Sequence, residues 1–289
     1  MKLHRLIVVL ATLLLAPIAW AGFVTFESAA GSPGGITPTR DAFRIAVGGG
    51  TVAGANGLFG GVRREINWDG VPDALSDPNA LPANFFNSTS PRGVEFSTPG
   101  TGFLVSANAG LTTPTLFGFG GDFQTFSAQK LFTAVGSNIT DVRFFVPGTS
   151  TAATTSAFGV IFVDVEVAGQ TTLEFFNASN VLIFTREALV AGNQGLSFVG
   201  ALANAGERIS RVRLTSGRNS ILSNGVLSNS IDDVVVMDDF LFAEPLPRNA
   251  VPEPSSLALF ALALALAACA AFLRLRTSRA RTGAGQIRA

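Results

Sequence analysis

Over residues 22–250 the chain predicts an all-β fold, two antiparallel sheets packed as a sandwich. Three observations predict it. Runs rich in β-branched and aromatic residues recur at nearly regular spacing, with turn residues between them. The longest, Phe158 to Val167, alternates at its end, with Ile161, Val163, Val165 and Val167 on one face and Asp164 and Glu166 on the other. No stretch of the region sustains a 3.6-residue apolar period, and Ala188–Ala191 and Ala201–Ala205 offer a turn or two of helix at most.

Taken in order, Phe23 to Glu27 is the first strand, ended by the small residues Ala29 to Gly35. Phe43 to Val47 and Val62 to Trp68 are further strands, bracketed by Gly48–Gly50 and by Asp69-Gly70-Val71-Pro72. From Asp69 to Pro99 the chain is dense in Asp, Asn, Pro and Ser and reads as an elaborate surface loop. Strands follow at Asp141–Val146, Phe158–Val167, Thr172–Phe176, Val181–Arg186, Leu196–Val199, Ile209–Leu214 and Val234–Phe242. Ala168-Gly169-Gln170 and Asn177 to Asn180 supply turns between three of them.

Residues 22–250 hold 13 basic and 19 acidic side chains, a net charge of −6. That balance argues against nucleic acid or an anionic membrane as partner and suits divalent cations. The only His is His4, the only Cys is Cys269, and there is no Tyr. A Ser-His-Asp triad, a Cys-His pair and an ordinary zinc site are thereby excluded from the region. Lys130 is its only lysine. Carboxylate-pair hydrolysis needs neither His nor Cys, so a carbohydrate-active enzyme stays open as an alternative to a non-enzymatic role.

The closing strand draws attention because alternation over Val234–Phe242 sets Asp238 and Asp239 on opposite faces. One of the two must face apolar neighbours, and a buried carboxylate needs a partner. Either the pair meets a cation, or the strand lies at an edge and both are solvated or bonded to loop backbone amides. Trp68 heads the long loop, where its ring serves either to stack on a sugar or to fill the core. Asp69, Asp73, Asp77 and Asn79 lack the spacing of an EF-hand loop and read as solvated. Asp164 and Glu166 pair across strands with Arg211 and Arg213 in this reading.

Both ends of the chain carry targeting patterns. Lys2 and Arg5 precede the apolar core Leu6–Leu15, and Ala19-Trp20-Ala21 supplies a small-x-small site, so residues 1–21 read as a signal peptide cut by signal peptidase before Gly22. At the other end come Val251, Pro252, Glu253 and Pro254, then the uncharged run Leu257–Leu273, then arginines 274, 276, 279 and 281. The run reaches about 25 Å as a helix, and with Ser255 and Ser256 it spans a thin hydrocarbon core. The arginines fix its far end in the cytoplasm. This order resembles the PEP-CTERM sorting signal, over residues 251–281 with a transmembrane helix at 255–273. The resemblance implies an exported protein held in the inner membrane until exosortase, a membrane cysteine transpeptidase, cuts near Pro-Glu-Pro.

The segment Phe158–Phe242, with Leu173-Glu174-Phe175-Phe176, Leu196-Ser197-Phe198-Val199-Gly200 and Met237-Asp238-Asp239-Phe240, resembles ectodomains carried by PEP-CTERM proteins, which are similar to lectin-like jelly rolls. Asn177 departs from the acidic residue expected after Leu-Glu-Phe-Phe. Jelly-roll sugar-binding modules hold a structural Ca²⁺ between a Glu of the opening strand and an Asp of the closing strand. The resemblance therefore implies a Ca²⁺ site at Glu27, Asp238 and Asp239, and a structural or glycan-contacting role at the cell surface or in the exopolysaccharide matrix.

Overall fold

The computed structural model describes residues 22–50, 58–107, 115–222, 227 and 233–248. The signal peptide and the sorting segment lie outside the described residues. In chain order the elements are β1 (Phe23–Ala30), helix α1 (Pro33–Val47), β2 (Leu58–Phe59), β3 (Arg63–Ile66), the single-turn α2 (Phe85–Ser88), β4 (Val94–Ser97) and β5 (Gly102–Val105). Then follow β6 (Phe132–Val135), β7 (Ile139–Phe144), β8 (Ala153–Thr154), β9 (Ala157–Val163), β10 (Thr172–Phe176), β11 (Leu182–Glu187), β12 (Leu196–Ala203), β13 (Arg211–Thr215), β14 (Val236–Ala243) and β15 (Leu246–Pro247).

Two antiparallel sheets carry the fold. The first runs β1-β12-β9-β14-β3-β2, with β6 also on β14 and β5 on β6, and the second runs β11-β10-β13-β7-β4. Between them Phe158, Val160, Phe162, Phe240 and Phe242 of the first sheet meet Phe96, Phe144, Leu173, Phe175 and Val212 of the second. The outer face of the first sheet is covered too: Ile161, Val163, Phe198, Val236 and Leu241 pack with Ile36 and Phe43 of α1 and with Phe117, Phe123 and Leu131. All of β9 and β14 is buried as a result. Double coverage explains why Phe158 to Val163 is an almost unbroken apolar run.

Helix α1 replaces the predicted turn at Ala29–Gly35 and strand at Phe43–Val47. Its sequence is poor in helix formers, with Gly34, Gly35 and an internal Pro38, so tertiary contacts must hold it. Pro33 takes the first helical position, where its missing N–H costs nothing. The inward face places Phe43 over the paired Gly159 and Gly200, where an added Cβ would come within 3.1 Å of its ring. These two glycines let the helix sit down on the sheet.

The predicted loop over Asp69–Pro99 also proves to be more than surface. Val71, Leu81, Phe85, Phe86, Val94 and Phe96 within it are buried in the main core, and Val94–Ser97 forms the edge strand beside β7. The strand predicted through Val167 stops at Val163, because Asp164 takes φ +74° and turns the chain. Alternation therefore ends there, and Val165 is buried while Val167 is exposed.

Candidate functional site

Asp238 and Asp239 sit where β14 slips in register. Met237 pairs with Phe162 and Phe240 with Val160, so the two aspartates share the place opposite Ile161, as in a β-bulge. On its other side β14 changes partner at the same point, from β6 at Met237 to β3 at Phe240. Main-chain ladder partners are thus missing around Asp238, and its carbonyl is satisfied by Trp68, whose Nε1 donates to it at 2.9 Å.

Neither aspartate is solvated at an edge, since β14 is central in the sheet and both carboxylates are buried. The Phe126 N–H donates to Asp238 Oδ2 at 2.6 Å and Ser127 Oγ to Oδ1 at 2.9 Å. Burial, reinforced by the adjacent Asp239 carboxylate, pushes Asp238 well above the usual carboxylate range. Asp239 is raised by burial as well. Its Oδ2 lies 3.9 Å from Arg40 Nη1, and Oδ1 has no hydrogen-bond partner among the described residues. Arg40 in turn lies 2.8 Å from Asp41 and covers the Phe126 ring at 4.8 Å.

Beside this pair runs a clamp from α1 to β3. Arg44 donates to both oxygens of Glu65, at 2.8 and 2.6 Å, and Arg63 Nε shares Glu65 Oε1 at 2.8 Å. Arg63 is fully buried, and its Nη1 donates to the carbonyls of Arg44 and Gly48 at the helix C-terminus, at 3.0 and 2.5 Å. A cation at that end suits the helix dipole.

The structure does not bring Glu27 to the aspartates. In register Glu27 lies across Val199 and Val160 from Phe240, three strand spacings or about 14 Å away along the sheet. Its carboxylate instead accepts from Arg186 of the second sheet, Nε at 2.7 Å and Nη2 closer still. The Ca²⁺ arrangement implied by resemblance is therefore not assembled from these three residues. Trp68 is 1% exposed and stacks on Phe132 at 4.1 Å, so it fills the core and cannot lie against a sugar ring. Arg211 and Arg213 both donate to Asp141, at 2.7 to 2.9 Å, and are not the partners of Asp164 and Glu166. Lys130, buried, donates from Nζ to Val71 O at 2.5 Å, Ser76 Oγ at 2.9 Å and Asp73 at 3.2 Å. It pins the loop predicted to be solvated.

Sequence reasoning missed Arg40, Arg44, Glu65 and Arg63, because the helix that brings two of them to the other two carries no helical signature. It also missed Ser127 and Phe126. Asp238 and Asp239 as a pair in need of partners were found by alternation alone.

A family model of the PEP-CTERM protein-sorting motif matches residues 250–276. The chain carries a PEP-CTERM sorting signal. That signal marks an exosortase-processed surface protein, with a C-terminal anchor cleaved on export. No curated protein matches the chain.

Proposed function

We propose that the PEP-CTERM signal delivers residues 22–250 to the cell surface or the exopolysaccharide matrix, where they act as a non-enzymatic structural or glycan-contacting component. Signal peptidase removes residues 1–21 in this reading, and exosortase acts near Val251-Pro252-Glu253-Pro254. The observation that carries the non-enzymatic part is the setting of Asp238 and Asp239. Carboxylate-pair hydrolysis needs two acids about 5 to 10 Å apart on a substrate cleft, whereas this pair lies adjacent in a strand covered on both faces. Lys130, the remaining candidate for nucleophilic chemistry, has three acceptors on its ammonium.

Glycan contact, where it occurs, has a shallow surface depression of about 430 Å³ lined by Glu27, Thr185, Arg186, Leu189 and Val190 among others. Its charged pair and exposed aliphatics offer hydrogen bonds and apolar contact without an aromatic platform. The test incubates the exported product with bacterial exopolysaccharides and follows co-sedimentation alongside release of reducing ends. Co-sedimentation weakened by Arg186→Ala, with no new reducing ends, is the expected result. Turnover abolished by replacing one Asp or Glu would establish the carbohydrate-active enzyme instead.

A further inference from the structure

The antiparallel register of β9 and β14 pairs Val163 with Val236. Three residues beyond the end of β9 stands Glu166, and three before the start of β14 stands Asp233, so the two chains bring these acids face to face. Their side chains and Asp164 each offer a carboxylate oxygen, all within 4.8 Å of one another. The site lies at one end of the first sheet, under the loop before β12, whose Gln194 N–H donates to Asp164 Oδ1 at 2.7 Å. Gln194 continues to the carbonyls of Gly120 and Gly121, and Asp122 of that second loop adds to the negative field at Asp164.

Proximity of acids alone would mean little, but Asp233 is 7% exposed and its Oδ1 is buried with no hydrogen-bond partner among the described residues. Among the described residues its other oxygen accepts two long bonds, from the Glu166 and Val167 N–H groups at 3.4 Å. A buried carboxylate oxygen left without a donor, next to two more carboxylates, is an arrangement that repulsion and desolvation both oppose. The charged neighbours that act most on Asp164 and Asp233 are acids, and burial together with them raises both carboxyls, Asp164 to about 7.

We propose that Asp164, Glu166 and Asp233 form a Ca²⁺ site that ties the exit of β9 to the entry of β14. The donors are hard oxygens, as Ca²⁺ requires, and Ca²⁺ accepts irregular geometry with water completing six to eight ligands, which three carboxylates on two chain segments can provide. Mg²⁺ demands a near-ideal octahedron and fits less well. The site's role is structural: it neutralises the acid cluster and fixes the loop ends on which Gln194 rests.

The test uses the full chain purified in detergent, stripped with a chelator and titrated with CaCl₂ by calorimetry and by thermal melt. Saturable uptake of one Ca²⁺ with a Kd of about 10⁻⁴ to 10⁻³ M, the range of extracellular modules, and a rise in Tm are expected. Asp233→Asn and Glu166→Gln should each weaken uptake about tenfold or more. Glu166 is exposed, so its variant keeps the test open should Asp233→Asn fail to fold. Absence of saturable uptake up to about 10 mM, well above that range, would overturn the proposal. So would uptake unchanged in both Glu166→Gln and a folded Asp233→Asn.

Discussion

Glu65→Gln should destabilise the protein severely, and the magnitude follows from what the carboxylate holds. It accepts from two guanidiniums, Arg44 and Arg63, and all three side chains are buried. Replacing the charge by an amide leaves two like charges facing each other in a poorly solvated site. Removing one partner of a buried pair costs about 3 to 5 kcal/mol. For a domain of this size each kcal/mol lowers Tm by about 2 to 4 °C, so a drop of about 6 to 20 °C is expected by calorimetry. The loss should also be local in its first effect. Helix α1 carries Gly34, Gly35 and Pro38, which together oppose helix formation by about 5 kcal/mol relative to alanine, so it depends on the clamp at its C-terminal end. Hydrogen exchange should therefore show residues 33–47 opening well before β7, β10 and β13. A loss below about 1 kcal/mol, the worth of a surface ion pair, would refute the reasoning. So would uniform exchange across the first sheet and the helix.

Asp77 is 7% exposed, and burial raises its carboxyl from 3.8 to about 6. Between those values the folded state binds more protons than the unfolded, so stability falls as pH rises through that window and stays low above it. Asp77→Asn should consequently stabilise the protein at pH 8 by at most about 3 kcal/mol and have no such effect at pH 3; equal shifts at both pH values in a denaturant titration would contradict this. Ser127→Ala removes one of the donors to the buried Asp238 and should cost about 1 to 3 kcal/mol, measured by urea unfolding, with a smaller effect meaning that water replaces the hydroxyl. Mass spectrometry of the exported product should find an N-terminus at Gly22 and no trace of Leu257–Leu273. Recovery only of the intact membrane-bound chain from an exosortase-competent host would leave a plain anchor in place of processing.

The strands of the second half were legible because each is a β-branched or aromatic run bounded by turn residues, as in Thr172–Phe176 and Arg211–Thr215. Helix α1 was not, since it buries only Ile36, Phe43 and Arg44 and its composition reads as turn. Residues 69–99 misled for a related reason. Their core side chains, Val71, Leu81, Phe85 and Phe86, enter at irregular spacing, and no period marks them. Alternation was carried past its physical end at Asp164, whose left-handed backbone is invisible in a sequence of valines and acids. The sorting signal, by contrast, is a local pattern of composition and order, and it matches over 250–276 without any need of tertiary structure.

The aspartate pair shows how a correct premise leads to an incomplete site. Alternation demanded that one of Asp238 and Asp239 be buried, on the assumption that a closing strand has one wet face. Because α1 and the 115–131 segment cover the outer face of the first sheet, there is no wet face, and both are buried. At the bulge, where β14 passes from β6 to β3, Ser127, Phe126 and Trp68 bond Asp238, while Asp239 faces Arg40. Polar groups at the centre of a sheet are spent on joining it to the loops around it. The two proposed contacts fall instead at the rim: the Glu27–Arg186 depression, where edge strands of the two sheets meet, and the acids at the exit of β9. Both lie where strands end or run at an edge, so the main-chain ladder leaves side-chain groups without strand partners.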